Sequence, residues 1–285
     1  MIRSMPQTTS YRVLYRVYIL FFFVYLFAPL VVTGVLAFND SQFPSLPWQG
    51  ATLDWFISSG PDRIGFLYDE SLLGSLWVSL QTALLVSLLS VGVGTMTAFL
   101  FAQEEFRFKG LLYFLMLAPL VIPGVILGIS ILSFTNALGL FFEETFGVDF
   151  ELLRPGFWLV VVGQFSFIAT LATLTLLSRL RKFDRSLEEA ALNLGATRFQ
   201  VIWYITLPFL RPALFGSGVI AFLMSFENFN TTLFLVGSEP TFPITLYLQL
   251  RDGSTPVINA ASLVLLFGTS LLAVGMFVFY KEEKA

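Results

Sequence analysis

The sequence predicts an all-α, polytopic membrane protein with six transmembrane helices and both termini in the cytoplasm. Three observations predict it. Of 285 residues, 56% are hydrophobic and only 12% charged, whereas a soluble domain carries about 25% charged residues. Six apolar stretches are each long enough for the roughly 20 residues that a helix needs to cross the hydrocarbon core. Finally, with the N-terminus inside, 13 of the 16 basic residues fall on the cytoplasmic side, leaving only Arg63, Arg154 and Arg251 outside; basic residues concentrate in cytoplasmic loops.

The first stretch, residues 17–38, follows Arg3, Arg12 and Arg16. Its uncharged run is longer than a signal-peptide core and no small-residue cleavage site follows it, so it reads as a retained helix. Residues 72–101 form the second span and residues 111–134 the third, in which Pro119 and Pro123 read as kinks. The fourth covers 157–178, the fifth 212–236 and the sixth 256–280. Helices satisfy every backbone polar group within the segment, and the short alternating segments of a β-barrel are absent. Outer loops then cover 39–71 and 135–156, a cytoplasmic loop covers 179–211, and a short interfacial helix is expected over 241–250. The whole chain, 1–285, reads as one membrane domain.

Composition also excludes chemistry. The chain has no Cys and no His, which removes Cys/His zinc sites, disulfides and His-based triads. No catalytic or metal site is expected. Nor is there a G-x-x-x-x-G-K-[ST] phosphate loop, so energy for any uphill transport comes from a partner.

The cytoplasmic loop carries the most information. It reads Arg181-Lys182-Phe183-Asp184-Arg185-Ser186-Leu187-Glu188-Glu189-Ala190-Ala191-Leu192-Asn193-Leu194-Gly195-Ala196-Thr197-Arg198-Phe199. Ser186 can cap a helix whose first turn holds Glu188 and Glu189. Leu187, Ala191 and Leu194 share one helical face, and Gly195 suits a left-handed helix end. A second helix over 197–205 is expected to stop at Leu207-Pro208, because proline disfavours helix in the residue before it.

Glu189-Ala190-Ala191, then Gly195, then Ile205-x-Leu207-Pro208 resembles the EAA motif of bacterial ABC importer permeases. That resemblance implies the type I importer permease fold and a multi-pass location in the bacterial inner membrane. It implies a coupling helix seated in an ATPase subunit, with Glu189 in polar contact, Ala190 and Ala191 allowing close approach, Gly195 setting the bend, and Leu207 and Pro208 closing the motif. It further implies a second, homologous permease, an ABC ATPase dimer carrying ATP and Mg²⁺, and an extracytoplasmic substrate-binding protein, all within the lipid bilayer and with no nucleic-acid partner.

The resemblance narrows to spermidine/putrescine permeases of the PotC type. It is carried by Phe38-Asn39-Asp40-Ser41, Trp48-Gln49-Gly50, Arg107-Phe108-Lys109-Gly110, Ser178-Arg179-Leu180 and Ser225-Phe226-Glu227-Asn228-Phe229. Glu227 is the one ionisable residue within a span. Counted along a continuous helix it lies about 15 Å below the outer end, where an acid is costly and faces a cavity or a partner. One reading makes it the carboxylate that meets a cationic cargo. In that reading Ser225 and Asn228 supply polar edges, and Phe226 and Phe229 line the cargo's methylenes. The other reading is a protonated acid bonded to Gln81 or Gln164. Trp48 reads either as a cargo contact or, like Trp55, as an interface anchor. The chain departs from the polyamine pattern at Gly124 and Asn228, where those permeases often carry acids. The alternatives are an importer of another organic cation, amino-acid-like compound or metal, and an ion-coupled secondary transporter, whose expected inverted repeats are not evident. A membrane enzyme lacks a plausible catalytic set.

Overall fold

The computed structural model describes residues 9–44, 46–60, 63–253 and 255–282; Arg3 and Lys284, which enter the orientation argument, lie outside them. The chain groups into two compact units, residues 1–69 with 249–267 and residues 70–248 with 268–285.

The first unit begins with α1 (Thr9–Leu36), a 28-residue helix in which no side chain is buried. A helix apolar on every side belongs in lipid or against another membrane helix. The outer segment that follows is built around Asn39. Its carbonyl accepts the Trp55 indole N–H at 2.9 Å, and its Oδ1 accepts the Gln49 N–H at 2.8 Å. Trp55 lies on α2 (Asp54–Ile57), after which β1 (Ser59–Gly60) pairs antiparallel with β2 (Arg63–Ile64), Ser59 opposite Ile64. The Arg63 guanidinium lies over the Trp55 ring and bonds Asp40 and Asp54. Its hydrogen bond with Asp40 raises its pKa further above the ordinary arginine value.

The second unit is a bundle. It contains α3 (Glu70–Gln103), α4 (Lys109–Val121), α5 (Gly124–Phe146) and α6 (Phe157–Leu180). α7 (Ser186–Asn193) and α8 (Arg198–Val201) precede a π-helical segment, Ile202–Thr206, that runs straight into α9 (Leu207–Phe226). α10 (Thr232–Leu235) follows; α11 (Phe242–Asp252) and α12 (Pro256–Glu282) contribute to both units. The expected interfacial helix over 241–250 is α11.

α3, α6 and α9 form the centre through small residues. Lipid gives apolar helices no hydrophobic reason to associate, so close approach and hydrogen bonds do the work. Gly94 of α3 lies against Ala172 and Thr173 of α6, where an added Cβ would stand 3.0 Å from a backbone nitrogen. The Ser87 hydroxyl donates to the Gly218 carbonyl of α9 at 2.7 Å. Val86, Val161, Ile168 and Ala221 fill the middle.

Two predicted spans are interrupted. The third, expected as one helix over 111–134, breaks at Ile122–Pro123, with Ile122 extended at φ −74°, ψ 128°. Proline disfavours the helical conformation in the residue before it, and Pro123 ends α4 where a kink had been expected, while Pro119 stays inside α4. The helix then continues through residues expected to form an outer loop. Thr135 bonds back to the Ile131 carbonyl at 2.9 Å, so its polar group stops nothing, and α5 ends only at Gly147, φ 65°. The fifth span, expected over 212–236, starts earlier and ends at Phe226.

Gly94→Leu should lower stability by about 1–3 kcal/mol, the usual cost of overpacking. Gly92→Leu, with open space around it, should change little; unfolding midpoints in detergent compare the two.

Candidate functional site

The loop between α6 and α9 folds as a helix–glycine–helix knob, but its caps differ from expectation. Ser186 does not cap α7. It is the first helical residue, after Arg185 at the N-cap, and no side chain caps α7; Asp184 Oδ1, one residue further out, accepts the Ser186 N–H at 3.0 Å. Bonds from the Ser186 side chain and backbone hold the Asp184 carboxyl below its ordinary range. At the other end Gly195 has φ +91°. Ala196 N–H returns to the Ala191 carbonyl at 3.0 Å and Gly195 N–H to the Leu192 carbonyl at 2.9 Å, a Schellman ending that favours glycine. Thr197 and Gln200 then form a reciprocal capping box at α8.

The second helix does not stop at Leu207-Pro208. Leu207 is helical at φ −66°, ψ −42°, and the chain passes through the π-helical turn into α9. Pro208 lacks an N–H and its ring crowds the carbonyl four residues back; the wider π turn takes up the extra room. Span five is thereby one rod from the knob to Phe226.

Glu189 and Ala190 are exposed and Ala191 half-buried. The Glu189 carboxylate has no hydrogen bond or ion pair among the described residues. Leu194, 89% exposed, and Phe199 stand out into solvent. Beside them lies a cleft of about 280 Å³ lined by Gln103, Arg185, Glu188, Glu189, Arg198 and Ile202. Sequence reasoning missed Glu188. Its Oε1 accepts the Thr206 hydroxyl at 2.7 Å, and Thr206 is fully buried at the π turn. Arg185 adds a second tie by donating to the Ala102 carbonyl of α3. The one available signal for Glu188 was its place beside Glu189.

At the far end of α9 the helix opens. Glu227, at φ −90°, ψ 3°, ends it, and the backbone resumes helical bonding only at α10. Neither Pro nor Gly causes this. Asn228, Asn230, Thr231 and Thr232 offer side chains that compete for backbone bonds, and the Asn228 Oδ1 accepts the Thr232 N–H at 3.2 Å. The depth counted along a continuous helix therefore does not apply to Glu227. Its side chain is exposed, and its carboxylate has no hydrogen bond or ion pair among the described residues.

The expected partner Gln164 is engaged elsewhere. It is fully buried on α6. The Ser225 hydroxyl donates to its Oε1, and its Nε2 donates to Thr232 Oγ1 at 2.8 Å. The Thr232 hydroxyl in turn donates to Asn228 Oδ1 at 2.8 Å. Gln81 is exposed. Ser225, expected among the cargo contacts, is 3% exposed and committed to this relay. Phe226 is also buried and stacks on Phe222, while Phe229 packs edge-on against Tyr247.

The two interruptions meet. The Thr231 hydroxyl donates to the Gly124 carbonyl at 3.3 Å. A Cβ on Gly128 would lie 2.8 Å from the Thr231 carbonyl oxygen, and one on Gly124 would lie 3.1 Å from the Asn230 Cβ. The glycine that replaces an acid in the polyamine pattern is thus a packing position. Trp48 and Trp55 belong to the other unit; Trp48 is 48% exposed, whereas Trp55 is buried against Asn39 and is no interface anchor.

The family described as binding-protein-dependent transport system inner membrane component matches residues 90–281, which takes in α6, the knob and both helix interruptions. The chain belongs to that family. Among curated relatives of this permease, the putrescine transport system permease protein PotI of Escherichia coli K12 is 30% identical over 92% of this chain and 88% of its own. The spermidine/putrescine permease PotC of the same organism is 27% identical over 86% and 85%. The molybdenum permease ModB of Mycobacterium bovis is 31% identical over 71% and 77%. Among solved structures, a bacterial ABC transporter that imports the acidic polysaccharide alginate matches with TM-score 0.71 at 19% identity, over 95% of this chain and 94% of that one. The permease is accordingly a multi-pass inner-membrane protein and a transporter component.

Thr206→Val and Glu188→Ala should each destabilise the permease by about 1.5–3 kcal/mol, the range for a hydrogen bond to a charged group. The double variant should be no worse than Glu188→Ala alone, because that variant already removes the Thr206 bond together with the longer one from Gln103; unfolding midpoints of the four proteins measure it.

Proposed function

We propose that this permease moves polyamines, putrescine or spermidine, into the cell, driven by ATP hydrolysis on a separate subunit. The observation that carries the reading is the unpaired Glu227 carboxylate at the opened end of α9. A helix C-terminus carries partial negative charge on its free carbonyls, so a carboxylate there adds to a negative field that attracts a cation. The likeness to PotI and PotC supports the same cargo class. Asn228 contributes a polar edge and Ser225 acts through Gln164.

In this reading the permease pairs with a second, homologous permease, a dimer of ABC ATPases that bind ATP and Mg²⁺, and an extracytoplasmic binding protein. Both termini are cytoplasmic and residues 1–285 act as one permease domain. Glu189, Ala190, Ala191 and Gly195 present the knob to the ATPase, and Leu207 and Pro208 join it to α9. ATPase closure moves the knob, and α9 carries that motion to the segment around Glu227. The packing of Gly124 against Asn230 and Thr231 favours a second reading: with no room for another acid there, the cargo is an organic cation of lower charge than spermidine.

Uptake of labelled putrescine and spermidine by cells expressing the whole transporter tests both. Glu227→Gln should raise the half-saturating concentration about tenfold, which corresponds to about 1.4 kcal/mol; unchanged kinetics overturn the cation site. A preference for putrescine selects the second reading.

Glu189→Lys should abolish uptake while the complex still assembles and hydrolyses ATP. Full uptake by that variant removes Glu189 from the coupling contact.

A further inference from the structure

Gln164 touches both sides of the gap in span five with one side chain. It is 0% exposed, and an amide presents a fixed acceptor and a fixed donor on one planar group. Its oxygen takes the Ser225 hydroxyl, one residue before α9 ends; its nitrogen gives to Thr232, where α10 begins. Thr232 passes the chain on to Asn228 at 2.8 Å, the residue next to Glu227. Three elements are therefore joined through one buried amide in apolar surroundings, where an unmade hydrogen bond is costly.

We propose that Gln164 is a positioning residue for the transport pathway: its amide clamps the two ends of the interrupted helix at a fixed separation and so sets where Glu227 stands. This rests on the reading of Glu227 as the cargo carboxylate. The clamp also specifies its own chemistry. Leucine at position 164 has similar bulk but bonds neither end. Serine at position 232 keeps the hydroxyl that receives and passes on the relay, and valine removes it at nearly constant volume.

The test uses the complete transporter purified in lipid nanodiscs, with two readouts. The first is amide hydrogen exchange at residues 226–236 without cargo, which is independent of what Glu227 binds. Gln164→Leu and Thr232→Val should each speed exchange there at least fivefold, the low end for an unmade buried hydrogen bond, and Thr232→Ser should restore the wild-type rate. Unchanged exchange in both overturns the clamp, and Thr232→Val decides it if Gln164→Leu does not assemble. The second is the half-saturating concentration for labelled putrescine. Gln164→Leu should raise it, and Gln164→Leu with Glu227→Gln should be no worse than Glu227→Gln alone. An additive double variant overturns positioning through Glu227. Faster exchange together with kinetics unmoved by Glu227→Gln leaves the clamp standing and rejects the cation site instead.

Discussion

A buried amide on α6 holds the second unit's functional geometry together. Gln164 stands in apolar surroundings with both polar atoms bonded. In lipid the alternative to those bonds is not water but nothing, so the interruption of α9 is an ordered feature with a definite partner set. The same logic recurs at α4–α5. Pro123 opens the third span, and the Thr231 hydroxyl of the other interruption donates to the Gly124 carbonyl at the start of α5. Glycines at 124 and 128 let the two opened segments approach. Broken helices inside a membrane persist where neighbouring elements re-satisfy the backbone, and here each break helps to satisfy the other.

The knob and the gap are the two ends of one element. Thr206, fixed by Glu188, starts the rod, and Ser225, fixed by Gln164, finishes it. Between them Pro208 costs no break, since the π-helical turn before it gives its ring room. A displacement at the cytoplasmic end of a continuous helix is transmitted along it, whereas a loop at Leu207-Pro208 would absorb it. The family fold alone does not choose the cargo: relatives and neighbours are named for putrescine, molybdenum and alginate. In the proposed reading the choice rests with side chains such as Glu227, which has no hydrogen bond or ion pair among the described residues.

Six apolar stretches, the bias of Lys and Arg, and the spacing Glu189-Ala190-Ala191 to Gly195 to Leu207-Pro208 were determined by the sequence itself, because span length, loop charge and the left-handed turn at Gly195 are local properties of the residues. Most predicted helix ends lie within a few residues of the structure for that reason. The tertiary structure alone decided that spans three and five are interrupted, that Pro208 is passed by a π turn, and that Glu188 and Gln164 are tied to Thr206, Ser225 and Thr232. Hydropathy sees a run of apolar residues as continuous whether or not its backbone bonds are. That Ser225 and Phe226 are buried, and that Gln164 bonds Ser225 and Thr232, was not legible in the sequence for one reason: which face of a helix is buried, and which partner answers a buried polar group, depends on neighbours tens of residues away in the chain.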